Sequence, residues 1–230
     1  MREGYRRYAI YWTPEPDSVL ARQGAAWLGW DPVSATGEAP DDPRLAAPWR
    51  YGLHATMKAP FRLATGTEVE ALDAAIADFA GAQAPVLLPG PVLDDALGFF
   101  AIRPGAPCRA LEQLAAKVVE VFDPFRAPLN AAERARRDMG AMTQHQRALF
   151  ERWGYPHVME AFRFHITLTG RIAPEHAAAT RRELEARFGP ALDGGITIAS
   201  LTLLGDPGPD EAGGPRGFVQ LARHALTGAD

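Results

Sequence analysis

Cysteine is nearly missing from this chain: Cys108 is the only one in 230 residues. An intramolecular disulfide and a zinc site built on cysteine pairs are therefore excluded. Cys108 stands between Pro107 and Arg109 at the start of an expected helix, where capping or packing is the role to expect of it. Long apolar runs are missing too. No stretch approaches the roughly 18 apolar residues of a membrane span, and Met1-Arg2-Glu3-Gly4-Tyr5-Arg6-Arg7 leads into a short strand rather than a signal-peptide core. The expectation is a soluble protein of the cytoplasm with no membrane partner. An excess of positive charge is also lacking: 24 Lys and Arg face 28 Asp and Glu, for a net charge of -4. Affinity for a phosphate backbone comes from clustered cations, so no long nucleic acid is expected as partner. One or two cations inside a cleft still suffice for a small phosphorylated substrate. Finally, there is no His-x-His pair and no Glu-x-x-His helix, so neither a metal nor a cofactor is expected.

What is present is one short pattern, twice. Leu53-His54-Ala55-Thr56-Met57-Lys58 and Phe164-His165-Ile166-Thr167-Leu168-Thr169 each contain His-x-Thr within alternating polar and apolar residues. Successive side chains of a strand point to opposite faces. His54, Thr56 and Lys58 are then expected on one face, and Arg163, His165, Thr167 and Thr169 on one face of the other strand. Such rows suit strands that look into a shared cleft; two separate, hydrogen-bonded structural histidines are the blander alternative.

With 47% hydrophobic residues the chain can bury a substantial core. Tyr8 to Trp12 reads as a strand, followed by a helix capped at Asp17 or Ser18 and ended by Gly29. Residues 31 to 48 read as a loop. Helices are expected over Glu68 to Ala80, Leu111 to Val121 and Pro174 to Phe188, and strands over Val86 to Leu93, Phe99 to Arg103, Ile196 to Leu204 and Gly217 to Leu221. After each His-x-Thr strand the order is helix, strand, strand. The two histidines stand 111 positions apart (165 less 54), too far for a solenoid period, so the pattern predicts a duplication and a single two-lobed domain over 1–230. Residues 122 to 161 do not fit the repeat. This inserted helical segment carries Arg126, Arg134, Arg136, Arg137, Arg147 and Arg152 and ends near Trp153-Gly154-Tyr155-Pro156. It is either a lid over the cleft or a solvated hairpin.

The paired His-x-Thr strands resemble the 2H phosphoesterase superfamily. Tyr8-Ala9-Ile10-Tyr11-Trp12, Trp27-Leu28-Gly29-Trp30-Asp31, Lys58-Ala59-Pro60-Phe61-Arg62, Asp123-Pro124-Phe125-Arg126-Ala127-Pro128, Arg152-Trp153-Gly154-Tyr155-Pro156 and Phe162-Arg163-Phe164-His165 resemble more narrowly a bacterial branch labelled as phosphonate metabolism proteins. The resemblance implies an α+β fold of two pseudo-symmetric lobes, each an antiparallel sheet with outer helices, and a cleft between the sheets. It also implies a metal-independent phosphodiesterase acting on a small cyclic phosphate or nucleotide-like diester.

The chemistry suits the residues. Cleavage of a phosphodiester takes a proton from the nucleophile and gives one to the leaving oxygen, and two imidazoles titrating near neutrality can do both. His54 and His165 are thus the acid-base candidates, with Thr56 and Thr167 on the non-bridging oxygens. Lys58, Arg163, Thr169, Tyr51 and Arg126 are candidate substrate-binding residues; Tyr51 precedes Gly52, where a ligand can approach the backbone. His145, His157, His176 and His224 are expected at the surface or at helix ends. An RNA end-processing cyclic phosphodiesterase or 2′-5′ RNA ligase, and a non-catalytic nucleotide- or RNA-binding module, remain alternatives.

Overall fold

The computed structural model describes residues 4–229, so the Met1-Arg2-Glu3 part of the N-terminal reading lies outside the described residues. Strand β1 (Arg7–Trp12) forms where large residues alternate, and it is buried on both faces: Tyr8, Ile10 and Trp12 on one, Ala9 and Tyr11 on the other. Helix α1 (Val19–Leu28) starts at Ser18, whose hydroxyl accepts the Ala21 N–H, and stops at Gly29 in the left-handed region. The stretch expected as a loop contains most of a small hairpin, β2 (Trp30–Asp31) with β3 (Thr36–Gly37), and a 3-10 turn at Pro43–Leu45, and a second 3-10 turn, Trp49–Tyr51, follows it. There follow β4 (Ala55–Phe61), α2 (Val69–Gly81), β5 (Val86–Leu88), β6 (Val92–Asp94), β7 (Phe99–Arg103), α3 (Arg109–Val121), α4 (Ala131–Ala135) and α5 (Gln144–Trp153). The chain ends with β8 (Ile166–Arg171), α6 (Pro174–Leu192), β9 (Ile196–Ile198), β10 (Ser200–Asp206) and β11 (Val219–Ala225).

Two expected strands are each split. Between β5 and β6 lie Pro89 and Pro91, which have no N–H for a ladder, around Gly90 at φ 46°. β5 leaves the main sheet and pairs with β9, which is likewise separated from β10. Cys108 occupies the N-cap position of α3 without a capping bond, its sulfur 3.9 Å from the Leu87 carbonyl.

Seven strands form one antiparallel sheet in the order β11-β10-β1-β4-β8-β7-β6. The two motif strands, β4 and β8, are neighbours at its centre and pair at Ala55 and Ile166 alone, each the first residue of its strand. The sheet is thus two half-sheets, the two lobes, joined at one point. Each lobe draws on both repeats: the β6-β7 hairpin, which follows the first motif, pairs with β8, and the β10-β11 hairpin, which follows the second, reaches β4 through β1. The helices cross over in the same way, with α2 on β10 and β11 and α6 on β6.

One face of the sheet is covered by helices. Ile10, Ala55, Phe100, Ile102, Ile166, Leu201 and Leu203 meet the stripes of α2 and α3 there, including Leu72, Ile76, Leu114 and Val118. Burial of each such Leu, Ile, Phe or Val side chain stabilises the fold by roughly 1.5–3 kcal/mol. Among the described residues the opposite face carries a small apolar cluster of Ala9, Tyr11, Leu204 and Phe218, and it holds the polar row of the motifs.

Candidate active site

The single β4–β8 pairing dictates the site. Ala55 lies opposite Ile166, so the same register one residue to either side sets His54 beside Thr167 and Thr56 beside His165. Residues directly opposite in an antiparallel pair share a face. The four motif side chains therefore form a square on the uncovered face, with the histidines on one diagonal and the threonines on the other. Both histidines sit immediately before their strands, where the two half-sheets start to diverge and a cavity opens. That cavity has a volume of about 360 Å³ and is lined by all four, with Tyr11, Tyr51, Phe99, Arg137 and Tyr155 among its other walls.

The imidazoles are held alike. Nδ1 of His54 donates to the carbonyl of Gly52 at 2.9 Å, and Nδ1 of His165 donates to that of Arg163 at 2.7 Å. Each ring uses the carbonyl two residues back, which fixes the tautomer and leaves Nε2 free. Gly52 adopts φ 64° and ψ -178°, a conformation essentially reserved for glycine, and a Cβ there would stand 2.2 Å from Pro32. Aromatic rings flank both histidines: Tyr11 and Tyr51 lie 4.1 and 5.6 Å from the His54 ring, and Phe99 lies 5.7 Å from that of His165.

This apolar setting favours the neutral imidazole. Burial lowers the His54 pKa to about 4, against the opposing pull of the Gly52 carbonyl and with a further push from His165. Burial also lowers that of His165, whose Arg163 carbonyl bond opposes the shift while the Arg103 charge adds to it. The hydroxyls of Thr56 and Thr167 have no hydrogen-bond partner among the described residues and are free to donate to a ligand. Thr169 lines the cavity, but its hydroxyl is engaged, accepting from Phe100 N at 3.1 Å and donating to the Gly170 carbonyl at 2.8 Å.

The structure does not bring three expected cations to the histidines. Lys58 was expected on the face of His54 and Thr56, but a bulge in β4 changes the alternation: Tyr11 pairs with Thr56 while Ile10 pairs with Lys58, leaving Met57 as the extra residue. Lys58 follows Ile10 onto the covered face, is 3% exposed, and donates from Nζ to the Val119 carbonyl and to Asp123. Burial lowers its pKa to about 8, with Asp123 opposing. Arg126 holds Asp123 at 2.8 Å and the Arg152 carbonyl at 3.0 Å, so it pins the end of α5 instead of facing the cavity. Arg163 donates to the carbonyls of Glu160 and Phe162 and lines a separate cavity beside Cys108.

The segment over 122–161, expected as either a lid or a solvated hairpin, supplies two walls of the cavity that were not among the expected site residues. Arg137 and Tyr155 both line the histidine cavity, with the Arg137 guanidinium 5.1 Å from the Tyr155 ring centre. Trp153-Gly154-Tyr155-Pro156 stood out as a motif, but its register against the cleft was not readable. Phe99 gave no signal beyond an ordinary strand residue. Among the described residues no three His, Cys, Asp or Glu side chains are grouped as a metal site requires, and no helix is long and apolar enough to cross a membrane.

Two antiparallel half-sheets backed by helices, each presenting one His-x-Thr unit to a common cavity, make this an α+β fold with paired His-x-Thr strands. The family described as "Protein of unknown function (DUF1045)" matches over residues 56–212, and the chain belongs to that family. It is 36% identical over 242 residues to ribose 1,5-bisphosphate phosphokinase PhnN of Janthinobacterium sp. (strain Marseille), a match covering 98% of this chain and 52% of that protein. It is 34% identical over 200 residues to the protein of the same name from Laribacter hongkongensis (strain HLHK9), covering 81% and 45%. The chain thus spans about half the length of the curated relatives it matches. Among solved structures it is similar to a crystal structure of a phosphoesterase, at 17% identity and a TM-score of 0.46 over 96% of this chain and 99% of that one. It is also similar to E. coli LigT complexed with 3′-AMP, at 17% identity and a TM-score of 0.47 over 98% and 99%.

Proposed function

We propose that the chain is a metal-independent, two-histidine phosphodiesterase that hydrolyses a small cyclic phosphate, and that its natural substrate is a ribosyl cyclic phosphate arising in phosphonate breakdown. The observation that carries this reading is the pair of imidazoles locked through Nδ1 by equivalent carbonyls beside two unengaged threonine hydroxyls. A neutral ring so locked accepts a proton at Nε2, and a charged one donates from it. Water attacks phosphorus opposite the ring oxygen that leaves. One imidazole takes the water proton, the P–O bond to the sugar breaks, and the other imidazolium protonates that oxygen, giving a monoester and a free hydroxyl. His54, with its pKa lowered to about 4, is the base because it stays neutral by a wide margin, and His165 is the acid. Thr56 and Thr167 donate to the non-bridging oxygens as negative charge moves onto them.

The relatives' name supports the substrate class. They are kinases of ribose 1,5-bisphosphate about twice this length, while this chain has no Gly-x-x-x-x-Gly-Lys-Ser/Thr phosphate loop. A hydrolase for a related ribosyl phosphate fits the matched half. The test compares catalytic efficiency on a ribosyl 1,2-cyclic phosphate, a nucleoside 2′,3′-cyclic phosphate and an oligoribonucleotide with a cyclic phosphate end, with and without EDTA. The ribosyl compound should be the best substrate and EDTA should have no effect. Preference for the oligonucleotide would promote the RNA-processing reading, and EDTA inactivation reversed by a divalent metal would overturn the metal-free mechanism.

A further inference from the structure

A second cavity of about 230 Å³ adjoins the histidine cavity, sharing Ala59, Pro60, Arg137 and Tyr155 with it. Each cation on its walls other than Arg136 and Arg137 has a carboxylate partner: Arg7 shares Asp206 with Arg50, Lys58 and Arg126 share Asp123, and Arg62 has Glu133. Arg136 and Arg137 line it too, and among the described residues neither has a carboxylate partner. The Arg137 guanidinium rests over the Tyr155 ring at the wall common to both cavities. Stacking orients its plane and leaves the N–H edges free for an anion. In a protein of net charge -4, the Arg137 guanidinium thus stands in the wall of the imidazole cavity, with Arg136 in the wall of the cavity beside it.

The geometry points to this side cavity as a subsite for a second phosphate of the same small substrate, a terminal monoester at the opposite end of the sugar from the reacting phosphate, clamped by Arg136 and Arg137. This inference rests on the phosphodiesterase reading for the identity of the first phosphate. The surplus of cations favours the monoester: six Lys and Arg line the cavity against three carboxylate partners, and a monoester carries about -1.5 to -2 at neutral pH, whereas a diester carries a single charge. Arg62 and Glu133, paired at 2.9 Å, line both this cavity and the next one beyond it. They stand where the two cavities meet.

The test has a binding arm and a kinetic arm. In the first, ribose 5-phosphate and ribose are titrated calorimetrically into the unaltered protein, His54→Ala and Arg136→Ala/Arg137→Ala. Ribose 5-phosphate should bind the first two alike and the arginine variant about tenfold or more weakly. Equal affinity of the unaltered protein for ribose and its 5-phosphate overturns the subsite, whatever the hydrolytic activity. In the second arm, kcat/KM is measured on ribosyl 1,2-cyclic phosphate with and without a 5-phosphate. The unaltered protein should prefer the phosphorylated compound by about tenfold or more, and the ratio should fall towards one in the arginine variant. A ratio of one in the unaltered protein, or higher efficiency on a cyclic-phosphate-ended dinucleotide than on the 5-phosphorylated sugar, overturns the subsite and leaves the phosphodiesterase reading standing. Arginine-dependent binding of ribose 5-phosphate without hydrolysis of any cyclic phosphate supports the subsite and sinks that reading instead.

Discussion

Tyr11 is stacked on His54, ring centroids 4.1 Å apart and planes inclined by 26°. β1 places Tyr11 opposite Thr56, so the phenol ring lies against the imidazole whose Nδ1 is already held by Gly52. The carbonyl bond fixes the tautomer, and the stacked ring restricts the tilt. Tyr11 is 1% exposed, and burial raises its hydroxyl pKa well above the ordinary value, so it remains a neutral phenol at working pH. The stacking and the burial belong to the ring. Tyr11→Phe should therefore keep stability within about 1 kcal/mol of the parent, while Tyr11→Ala should lose about 3–5 kcal/mol in urea unfolding and also lose turnover.

Gly52 is the second support of the same imidazole. Its carbonyl is the Nδ1 acceptor, and its backbone conformation and the closeness of Pro32 leave no room for a Cβ. Gly52→Ala should cost about 1–3 kcal/mol through backbone strain and clash, and it should lower kcat more than KM because the carbonyl turns away from His54. Chemical denaturation and steady-state kinetics read the two effects separately, and an unaltered kcat would remove the carbonyl lock from the mechanism.

Lys58→Met tests the bulge. The lysine faces Val119 and Asp123, not the histidines, so its loss should change kcat/KM by less than about threefold. A phosphate-clamping lysine would lose far more. Its lowered pKa also has a signature in stability: between pH about 8 and the ordinary 10.5 the unfolded chain holds a proton that the folded chain does not. Stability therefore gains a favourable contribution as pH rises through that window, and Lys58→Met should lack it.

The bulge marks where the sequence stopped being legible. Period-2 and period-3.6 patterns located β1, α2, α3 and the motif strands closely, because burial of one face is written into residue order. An inserted residue at Met57 is invisible to alternation, and it moved Lys58 to the covered face. The exchange of hairpins between repeats was equally hidden, since similar strand, helix, strand, strand units pair as well with each other as within themselves. Arg137 was one arginine among several in 122–161, and only packing of Tyr155 against the cleft distinguishes it. The four motif residues were readable because their spacing alone puts them on one face of each strand.

The two histidines should behave as one unit. His54→Ala and His165→Ala should each lower kcat by at least about 10²-fold, since each removes one half of a coupled proton transfer. The double variant should fall little below the worse single one, because groups acting in one step are strongly non-additive. Independent multiplication of the two losses, with folding verified by circular dichroism, would argue for two separate roles.

The pH dependence carries the assignment of base and acid. In the free protein His54 must be neutral to accept a proton, and with its pKa lowered to about 4 that condition fails only as pH falls towards 4. His165 must be protonated to donate, and its pKa is lowered from 6.5, so this condition is already being lost as pH rises towards that value. The profile of kcat/KM, which reports the free protein, should be a bell with its maximum below about 6.5. A bound phosphate anion favours the imidazolium forms and raises both values, so the maximum of kcat should lie at higher pH than that of kcat/KM. The same shift appears in stability. Between pH 6.5 and about 4 the unfolded chain takes up a proton at residue 54 that the folded chain refuses, so stability falls as pH falls through that window, and His54→Ala should flatten this slope in urea unfolding. A kcat/KM maximum above pH 8 would rule out the depressed imidazoles and, with them, the division of roles between His54 and His165.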